Sequence, residues 1–264
     1  MSSSMPALCI FGDGEMSGVV QSMVRSWKME ITNVLSGDDL RNGWPRKKGD
    51  LKGADVGLDF SAPEAVPKNV RKAVSLGLPL VVGTTGWQDQ VDEVEATVLN
   101  GDGSLLYAPN FSYALSVLVY VLKRAALLFE GEEFDPFIWE KHHTSKGDST
   151  SGTALYIGEI LLDALEHKDL LHVGSGAGRI AQNQLSVASI RAGSDPGQHT
   201  VGFDGSNETL EFVHTVRDRT AFAAGAIRAA FWLKGRKGIF TMEDLVKDMV
   251  EKAEERKSER QRED

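Results

Sequence analysis

The sequence predicts an α/β chain: a doubly wound parallel sheet, then a second α+β domain carrying a mixed or antiparallel sheet. Three observations lead there. In the first half, apolar runs such as ALCIFG (Ala7 to Gly12) and LPLVVG (Leu78 to Gly83) alternate with helical patterns. Strands apolar on both faces belong in a parallel sheet covered by helices. Further on, LSVASIRAG, QHTVGFDGS and TLEFVHTVRD follow one another with no helix between them. Runs of strands of that kind build antiparallel or mixed sheets. Helical patterns return only toward the C-terminus.

Taken in order, ALCIFG is a buried strand ending at glycine, and a helical pattern follows to about Lys28. EITNVLSG (Glu30 to Gly37) reads as the next strand and DVGLDFS (Asp55 to Ser61) as the third. SAPEAV opens a helix with Pro63 in its first turn, a position where the missing N–H costs nothing. LPLVVGTTG is a strand ending in Gly83, Thr84, Thr85 and Gly86. A helix to about Leu99 and the strand LLYAPNFS (Leu105 to Ser112) complete the first half. PFIWEKHH (Pro136 to His143) is a strand and SGTALYIGEILLDAL a helix, with Ala154, Ile157, Gly158, Leu161 and Leu165 on one stripe. DGSN (Asp204 to Asn207) marks a hairpin between the last two of the three consecutive strands. Helices are expected over about Ala221 to Leu233 and from Thr241 onward, the second opened by a Thr241/Asp244 capping box. Its tail, EKAEERKSERQRED, is charged all round and reads as a solvated, fraying helix end.

The 264 residues suffice for two domains, and a net charge of −9 argues against a protein that coats nucleic acid. The single cysteine, Cys9, lies in an apolar run and reads as a core residue. No disulfide framework is possible within the chain, which points to a reducing compartment. The N-terminal MSSSMPALCIFG has no secretory pattern, and no apolar run is long enough to span a bilayer. The expected location is the cytosol, or a plastid stroma if the chain is a processed form.

GDGEMSG (Gly12 to Gly18) follows the first strand and opens a helix. It is an imperfect dinucleotide fingerprint: Gly12 and Gly14 take the first two glycine places, Ser17 the third, and Gly18 falls one residue late. A tight turn that binds no nucleotide is the alternative. The acidic residue that would hold an adenosine ribose is not clear. Asp38 and Asp39 end the second strand and can accept from ribose hydroxyls. The basic Arg41, Arg46, Lys47 and Lys48 can hold a 2′-phosphate or form an ordinary solvated loop.

The densest chemistry is in WEKHHTSKGDSTSGTA (Trp139 to Ala154). Three protonatable groups, His142, His143 and Lys146, precede a helix N-terminus, whose N–H groups and dipole attract carboxylates. Gly152 lets a ligand approach the backbone, and Thr153 adds a hydroxyl. Together they suit a small carboxylic acid beside a proton donor. A polar loop with Ser149, Thr150 or Ser151 as an ordinary N-cap is the bland alternative. Zinc is disfavoured, because adjacent histidines do not readily share one metal and no third ligand is spaced for it.

EKHHTSKGDSTSGTA resembles the signature of the dihydrodipicolinate reductase family, E-x-H-H-x-x-K-x-D-A-P-S-G-T-A. LDFSAPEAV, VVGTTGW, APNFSYALSVL, VASIRAGSDPGQHTVGF and VRDRTAFAAGAIRAAFWLKGRKGIFTMEDL resemble further family motifs in the family's order, over nearly the whole chain. The resemblance implies a Rossmann domain from residues 1–112 plus 220–264, and a substrate-binding and oligomerisation domain from residues 113–219 whose sheet builds a homotetramer. It implies hydride transfer from NADPH or NADH to a cyclic dicarboxylate on the lysine and diaminopimelate pathway. His142 and Lys146 align with the catalytic pair; His143, Gly152, Thr153 and Arg219 align with substrate binders. Gly12, Gly14, Glu15 and Met16 align with the cofactor loop. Gly83, Thr84, Thr85, Ala108, Asn110 and Phe111 align with nicotinamide contacts.

The chain departs from the family pattern in three places, one being Ser36 and Gly37, which fall where the family often has an acidic or basic selector. The family's G-x-x-G-R-M-G aligns with GDGEMSG one residue shorter, which puts Glu15 where an arginine usually stands and Ser17 where a glycine does. Ser149 and Thr150 replace Ala-Pro in the substrate loop, exchanging a rigid residue for a freer one. Three readings follow: a working reductase with a divergent loop, a paralogous reductase of another cyclic imino acid, or a member that has lost hydride transfer.

Overall fold

The computed structural model describes residues 5–42, 45, 48–174 and 178–263. The chain divides into two units, Met1–Tyr113 with Arg219–Asp264, and Ala114–Asp218.

In the first unit, the uninterrupted apolar runs become the central strands. These are β1 (Leu8–Phe11), β3 (Val56–Asp59), β4 (Leu80–Val82) and β5 (Ser104–Tyr107), with β2 (Ile31–Leu35) as an edge. Each is followed by a helix: α1 (Glu15–Ser26), α2 (Gly37–Asn42), α3 (Val66–Ser75) and α4 (Val91–Asn100) succeed β1 to β4. Pro63 opens a short 3-10 turn, Pro63–Ala65, that leads into α3. The central strands are buried on both faces because each face has its own core. On one face Leu8, Ile10, Val56, Leu58, Val81 and Leu106 pack among α1 and later helices; on the other Cys9, Phe11, Leu80, Val82 and Leu105 pack against α3 and α4.

The second unit opens with α5 (Tyr113–Phe129, whose first residue belongs to the first unit) and β6 (Phe134–His142). It continues with α6 (Gly152–Ala164), β7 (Leu170–Val173), β8 (Gln184–Arg191), β9 (Gln198–Gly205) and β10 (Thr209–Thr215). Its sheet has the order β10-β9-β6-β8-β7. β6 runs parallel to β8 and antiparallel to β9, so the sheet is mixed. The helix α6 carries the chain from β6 to β7, and β7 and β6 both run parallel to β8, which lies between them, whereas β9 and β10 are joined by a hairpin closed by Gly205 N–H on the Glu208 carbonyl, 2.9 Å. One face packs Ile138, Leu185, Val187, Val201 and Phe203 against α5 and α6, including the stripe read from the sequence.

The chain then returns to the first unit as α7 (Thr220–Leu233), β11 (Gly238–Phe240) and α8 (Met242–Glu263). β11 pairs with β5, giving a six-stranded all-parallel sheet, β11-β5-β4-β3-β1-β2. Its order reverses between β1 and β3, so a crevice lies beyond their C-terminal ends, where α/β sheets bind ligands. Asp244 accepts from the N–H and hydroxyl of Thr241 at 2.7 and 2.9 Å, capping α8 as expected. The charged tail expected to fray is helical through Glu263 and exposed along its described length.

Four elements are absent from the sequence reading: α2, α5, β7 and β11. In α5 only Leu115, Ser116, Val119, Leu122 and Ala126 are buried, while Val121, Leu127 and Leu128 are exposed. Apolar residues on every side of a helix hide its buried stripe.

Candidate active site

β6 builds the second unit's polar cluster by strand alternation. Ile138, Glu140 and His142 are buried on the face that packs against the helices, and Trp139 and Lys141 point the other way. After His142 the chain leaves the sheet, with His143 N–H on the Asp195 carbonyl at 2.8 Å, and reaches α6 ten residues later. Ser151 caps α6, its hydroxyl accepting from Ala154 N–H at 3.1 Å. At Gly152 a Cβ would meet nothing within 4 Å, so space is open over the first turn of the helix, beside Thr153. His143 Nδ1 lies 2.8 Å from the Ser145 hydroxyl, and Lys146 Nζ is 3.0 Å from Asp148.

Glu140 organises this cluster. Its Oε1 accepts from Ser151 N–H (3.0 Å), the Ser189 hydroxyl (2.9 Å) and Arg191 Nη2 (3.1 Å). Burial opposes its charge, but His199 nearby and the hydrogen bonds from Ser151 and Ser189 prevail and hold its carboxyl below the usual range. The same Arg191 Nη2 donates to the carbonyls of Asp148 and Ser149 at 3.0 and 2.9 Å, and Thr150 meets Ser189 at 3.1 Å. The loop that lacks the family's proline is therefore tied down at its centre. Burial pulls His142 below its ordinary value, against the raising effect of Glu140.

Glu140, His142 and His199 each place one possible ligand atom within 4.8 Å of the others. Sequence spacing shows no such third ligand, because Glu140 and His199 meet across the antiparallel β6–β9 register. This corrects the expectation that His142 has no companions able to complete a metal set. Part of the set is already engaged, however: the Arg191 cation takes the other carboxylate oxygen of Glu140 and disfavours a second cation beside it, and Ser151 Oγ lies 3.1 Å from His199 Nε2. A hydrogen-bonded network describes them better than an ion site.

In the first unit, the loop after β1 is shaped for close approach. Gly12 has φ +96°, and a Cβ there would lie 2.4 Å from the Phe60 carbonyl oxygen. At Gly14 a Cβ would meet nothing within 4 Å, and Gly14 gives α1 no side-chain cap. Open backbone at an uncapped helix N-terminus fits a pyrophosphate. Met16 packs against the core, and Ser17 is fully buried with its hydroxyl unpartnered. The Glu15 carboxylate is 2.6 Å from Arg219 Nη1, both side chains being mostly exposed. The structure thus joins a residue expected at the cofactor to one expected at the substrate.

The loops after β3 and β4 are pinned by Asp59. This fully buried carboxylate accepts from Ser61 N–H (2.9 Å), the Ser61 hydroxyl (2.6 Å), Asn69 (2.9 Å) and Thr84 (3.0 Å). Gly83 packs under the Phe60 ring, where a Cβ would come within 2.2 Å, and Thr84 is buried while Thr85 is exposed. Asn110 Oδ1 accepts from Ser112 N–H at 2.8 Å, and Ala108 and Phe111 are buried in the core on the α1 face. Asp39, a candidate for ribose, instead accepts from Ser36 N–H and hydroxyl at 2.9 and 2.7 Å. Arg46 and Lys47 lie outside the described residues, as do the side chains of Arg41 and Lys48.

Sequence reasoning missed Glu140, Arg191, His199 and Asp59. Glu140 had a signal, since it stands two residues before His142 on a strand and must share its face. Arg191 and His199 had none, because only sheet register brings them in.

Comparison with known proteins adds the lineage. Residues 12–111 match the family model for dihydrodipicolinate reductase, N-terminus, and residues 114–246 the model for its C-terminus. The chain is 32% identical to a 4-hydroxy-tetrahydrodipicolinate reductase of Christiangramia forsetii, over 92% of this chain and 98% of that one. It is 36% identical to one of Methanoregula boonei, over 74% and 76%. Among solved structures, a dipicolinate-bound dihydrodipicolinate reductase from Paenisporosarcina sp. TG-14 shares the fold. Its TM-score is 0.73 and its identity 20%, covering 90% of this chain and 98% of that one.

Proposed function

The chain belongs to the dihydrodipicolinate reductase family of oxidoreductases, and on that premise we propose that it reduces dihydrodipicolinate (4-hydroxy-tetrahydrodipicolinate) to tetrahydrodipicolinate with NADPH or NADH. This is the reductase step of lysine and diaminopimelate biosynthesis. The observation that carries the reading is the β6–α6 segment. It sets His142, His143 and Lys146 before a helix N-terminus with open space at Gly152.

The substrate carries two carboxylates and a conjugated imine. One carboxylate suits the first turn of α6, with Gly152 and Thr153 supplying backbone and hydroxyl donors and His143 a further one. Arg219 suits the other, provided that it exchanges Glu15 for the ligand. An exposed ion pair is worth little, so that exchange costs little. The bound nicotinamide would supply the hydride. Hydride addition at one end of the conjugated system leaves an electron-rich carbon at the other, which takes a proton from Lys146 or from His142. Asp148 lies 3.0 Å from Lys146 Nζ and fixes where that side chain sits in the loop.

Gly12, Gly14, Glu15 and Met16 would form the pyrophosphate loop. Gly83, Thr84, Thr85, Ala108, Asn110 and Phe111 would form the nicotinamide side, with Asp59 fixing the loop through Thr84. Arg219 offsets the negative charge that Glu15 brings to this loop. We assign the chain to the cytoplasm; among the described residues no helix is long and apolar enough to cross a membrane.

A homotetramer is the proposed assembly. The face of the second sheet turned away from α5 and α6 carries Phe137, Trp139, Ile190 and Val213, and Ile190 and Val213 are 47% and 56% exposed. Apolar side chains grouped on a sheet face mark an association surface.

Calorimetric titration with dipicolinate, a planar dicarboxylate that cannot accept hydride in the same way, tests the site. The wild type should bind it. Thr153→Val should weaken binding about tenfold, the loss of one hydrogen bond to a charged group. Absence of binding, or equal affinity in Thr153→Val and in Lys146→Ala, would remove the β6–α6 segment as the dicarboxylate site.

A further inference from the structure

Glu140 lies opposite His199 of β9 and Ser189 of β8, and none of it is exposed. Its two oxygens have unlike surroundings. Oε1 is saturated by the three donors described above. Oε2 makes no hydrogen bond within 3.5 Å, yet it faces His142 Nδ1 at 3.4 Å and His199 Nε2 at 3.5 Å. His142 Nδ1 is likewise buried without a hydrogen-bond partner. Two complementary groups face each other in a buried site, and each is costly to leave unmatched. A ring movement of a few tenths of an ångström brings them to hydrogen-bond length, and such contacts are commonly long before ligand binds.

The other nitrogen of His142 lies beside Gly197, at φ +152°, where a Cβ would sit 2.9 Å from Nε2, so the glycine leaves that nitrogen room that a side chain would take. Unlike Nδ1, Nε2 is not among the buried atoms without a hydrogen-bond partner. The two imidazoles, His142 and His199, stand edge to face with centroids 5.2 Å apart, so one carboxylate oxygen reaches both.

We propose that Glu140 is the positioning residue of this site: its Oε2 holds a proton on Nδ1 of His142, so that Nε2 is the nitrogen turned to the substrate. His199 is the second partner of the same oxygen and fills the space behind it. The proposal rests on the reading of the β6–α6 segment as the substrate site, and it adds the nitrogen that works and the group that selects it.

The charged and titratable groups around His142 are few. Glu140 lies on its own strand, Arg191 on β8, His199 on β9, and Lys146 and Asp195 on the following loops. Arg191, Lys146 and His199 oppose a cationic His142, and Glu140 supports it. Removing the carboxylate therefore lowers the proton affinity of the imidazole and frees its tautomer.

Nitrogen-15 NMR of labelled histidines reads tautomer and titration midpoint with no turnover required. In the wild type, neutral His142 should carry its proton on Nδ1. In Glu140→Gln the two tautomers should mix, and the His142 midpoint should fall by about one unit. Glu140→Asp should restore the Nδ1 form in part. An Nε2-protonated His142 in the wild type overturns the proposal, and that result is available even if Glu140→Gln fails to fold. An unchanged midpoint in folded Glu140→Gln overturns it equally. If the reductase reading itself is wrong, the NMR result still stands by itself. If that reading is right, Glu140→Gln should lower kcat with little change in KM; a raised KM with unchanged kcat counts against positioning.

Discussion

Lys146 shows how much of this site is set by single residues. Its Nζ sits 3.0 Å from Asp148 and its side chain is only 24% exposed, a geometry that holds it in the loop before α6. Lys146→Ala should lower kcat by about 10²-fold or more, the usual contribution of a positioned general acid, with the thermal midpoint little changed. Turnover near wild type in a steady-state assay would remove Lys146 from the chemistry. Glu140 makes a pH prediction. Its folded carboxyl titrates below the ordinary glutamate value, so the native state binds fewer protons than the unfolded chain in that window. The stability it contributes is present above about pH 4.3 and is lost as pH falls toward the folded value. Urea midpoints measured from neutral pH downward should fall less steeply in Glu140→Gln than in the wild type. Cys9 is the opposite case: burial pushes its thiol up to about 12, so alkylating reagents at mildly alkaline pH should leave it unmodified until the protein unfolds.

At the scale of elements, a glycine lets two backbone segments meet. In α7 a Cβ on Gly225 would lie 1.6 Å from the Phe111 carbonyl oxygen. Gly225→Ala should cost about 3 kcal/mol in a urea titration, at the upper end for overpacking, and it should displace the segment after β5 that carries Asn110 and Phe111. A stability equal to wild type would show that α7 can move away freely. The same view explains what the sequence could reveal. Buried central strands such as β1 and β4 were legible, because uninterrupted apolar runs ending in glycine have few other readings. The mixed character of the second sheet was half legible: a hairpin signal shows β9–β10, but nothing local shows that β6 runs beside β8. For the same reason His142, His143, Lys146 and Gly152 could be read as a cluster, being neighbours in sequence, whereas Arg191 and His199 could not. β7 and β11 were missed because four-residue and three-residue strands carry too little pattern to stand out, and α5 because its apolar residues surround it.

For the whole molecule, a net charge of −9 coexists with a local cluster of basic side chains. Lys146 lies in the loop after β6, and Arg191, at the end of β8, donates to that loop through the carbonyls of Asp148 and Ser149. Assembly is the other property at this scale. If the exposed face of the second sheet builds the tetramer, Val213→Glu should reduce the mass measured by light scattering. An unchanged mass would place the interface elsewhere. The most direct measurement is the consumption of NADH and of NADPH on addition of freshly generated 4-hydroxy-tetrahydrodipicolinate, run in parallel on the wild type and Lys146→Ala. We expect turnover in the wild type with at least one cofactor and its loss in the variant. Tight cofactor binding with no turnover of this substrate would contradict the proposed reaction, and failure to bind either cofactor would show that Glu15 and Ser17 have closed the nucleotide loop.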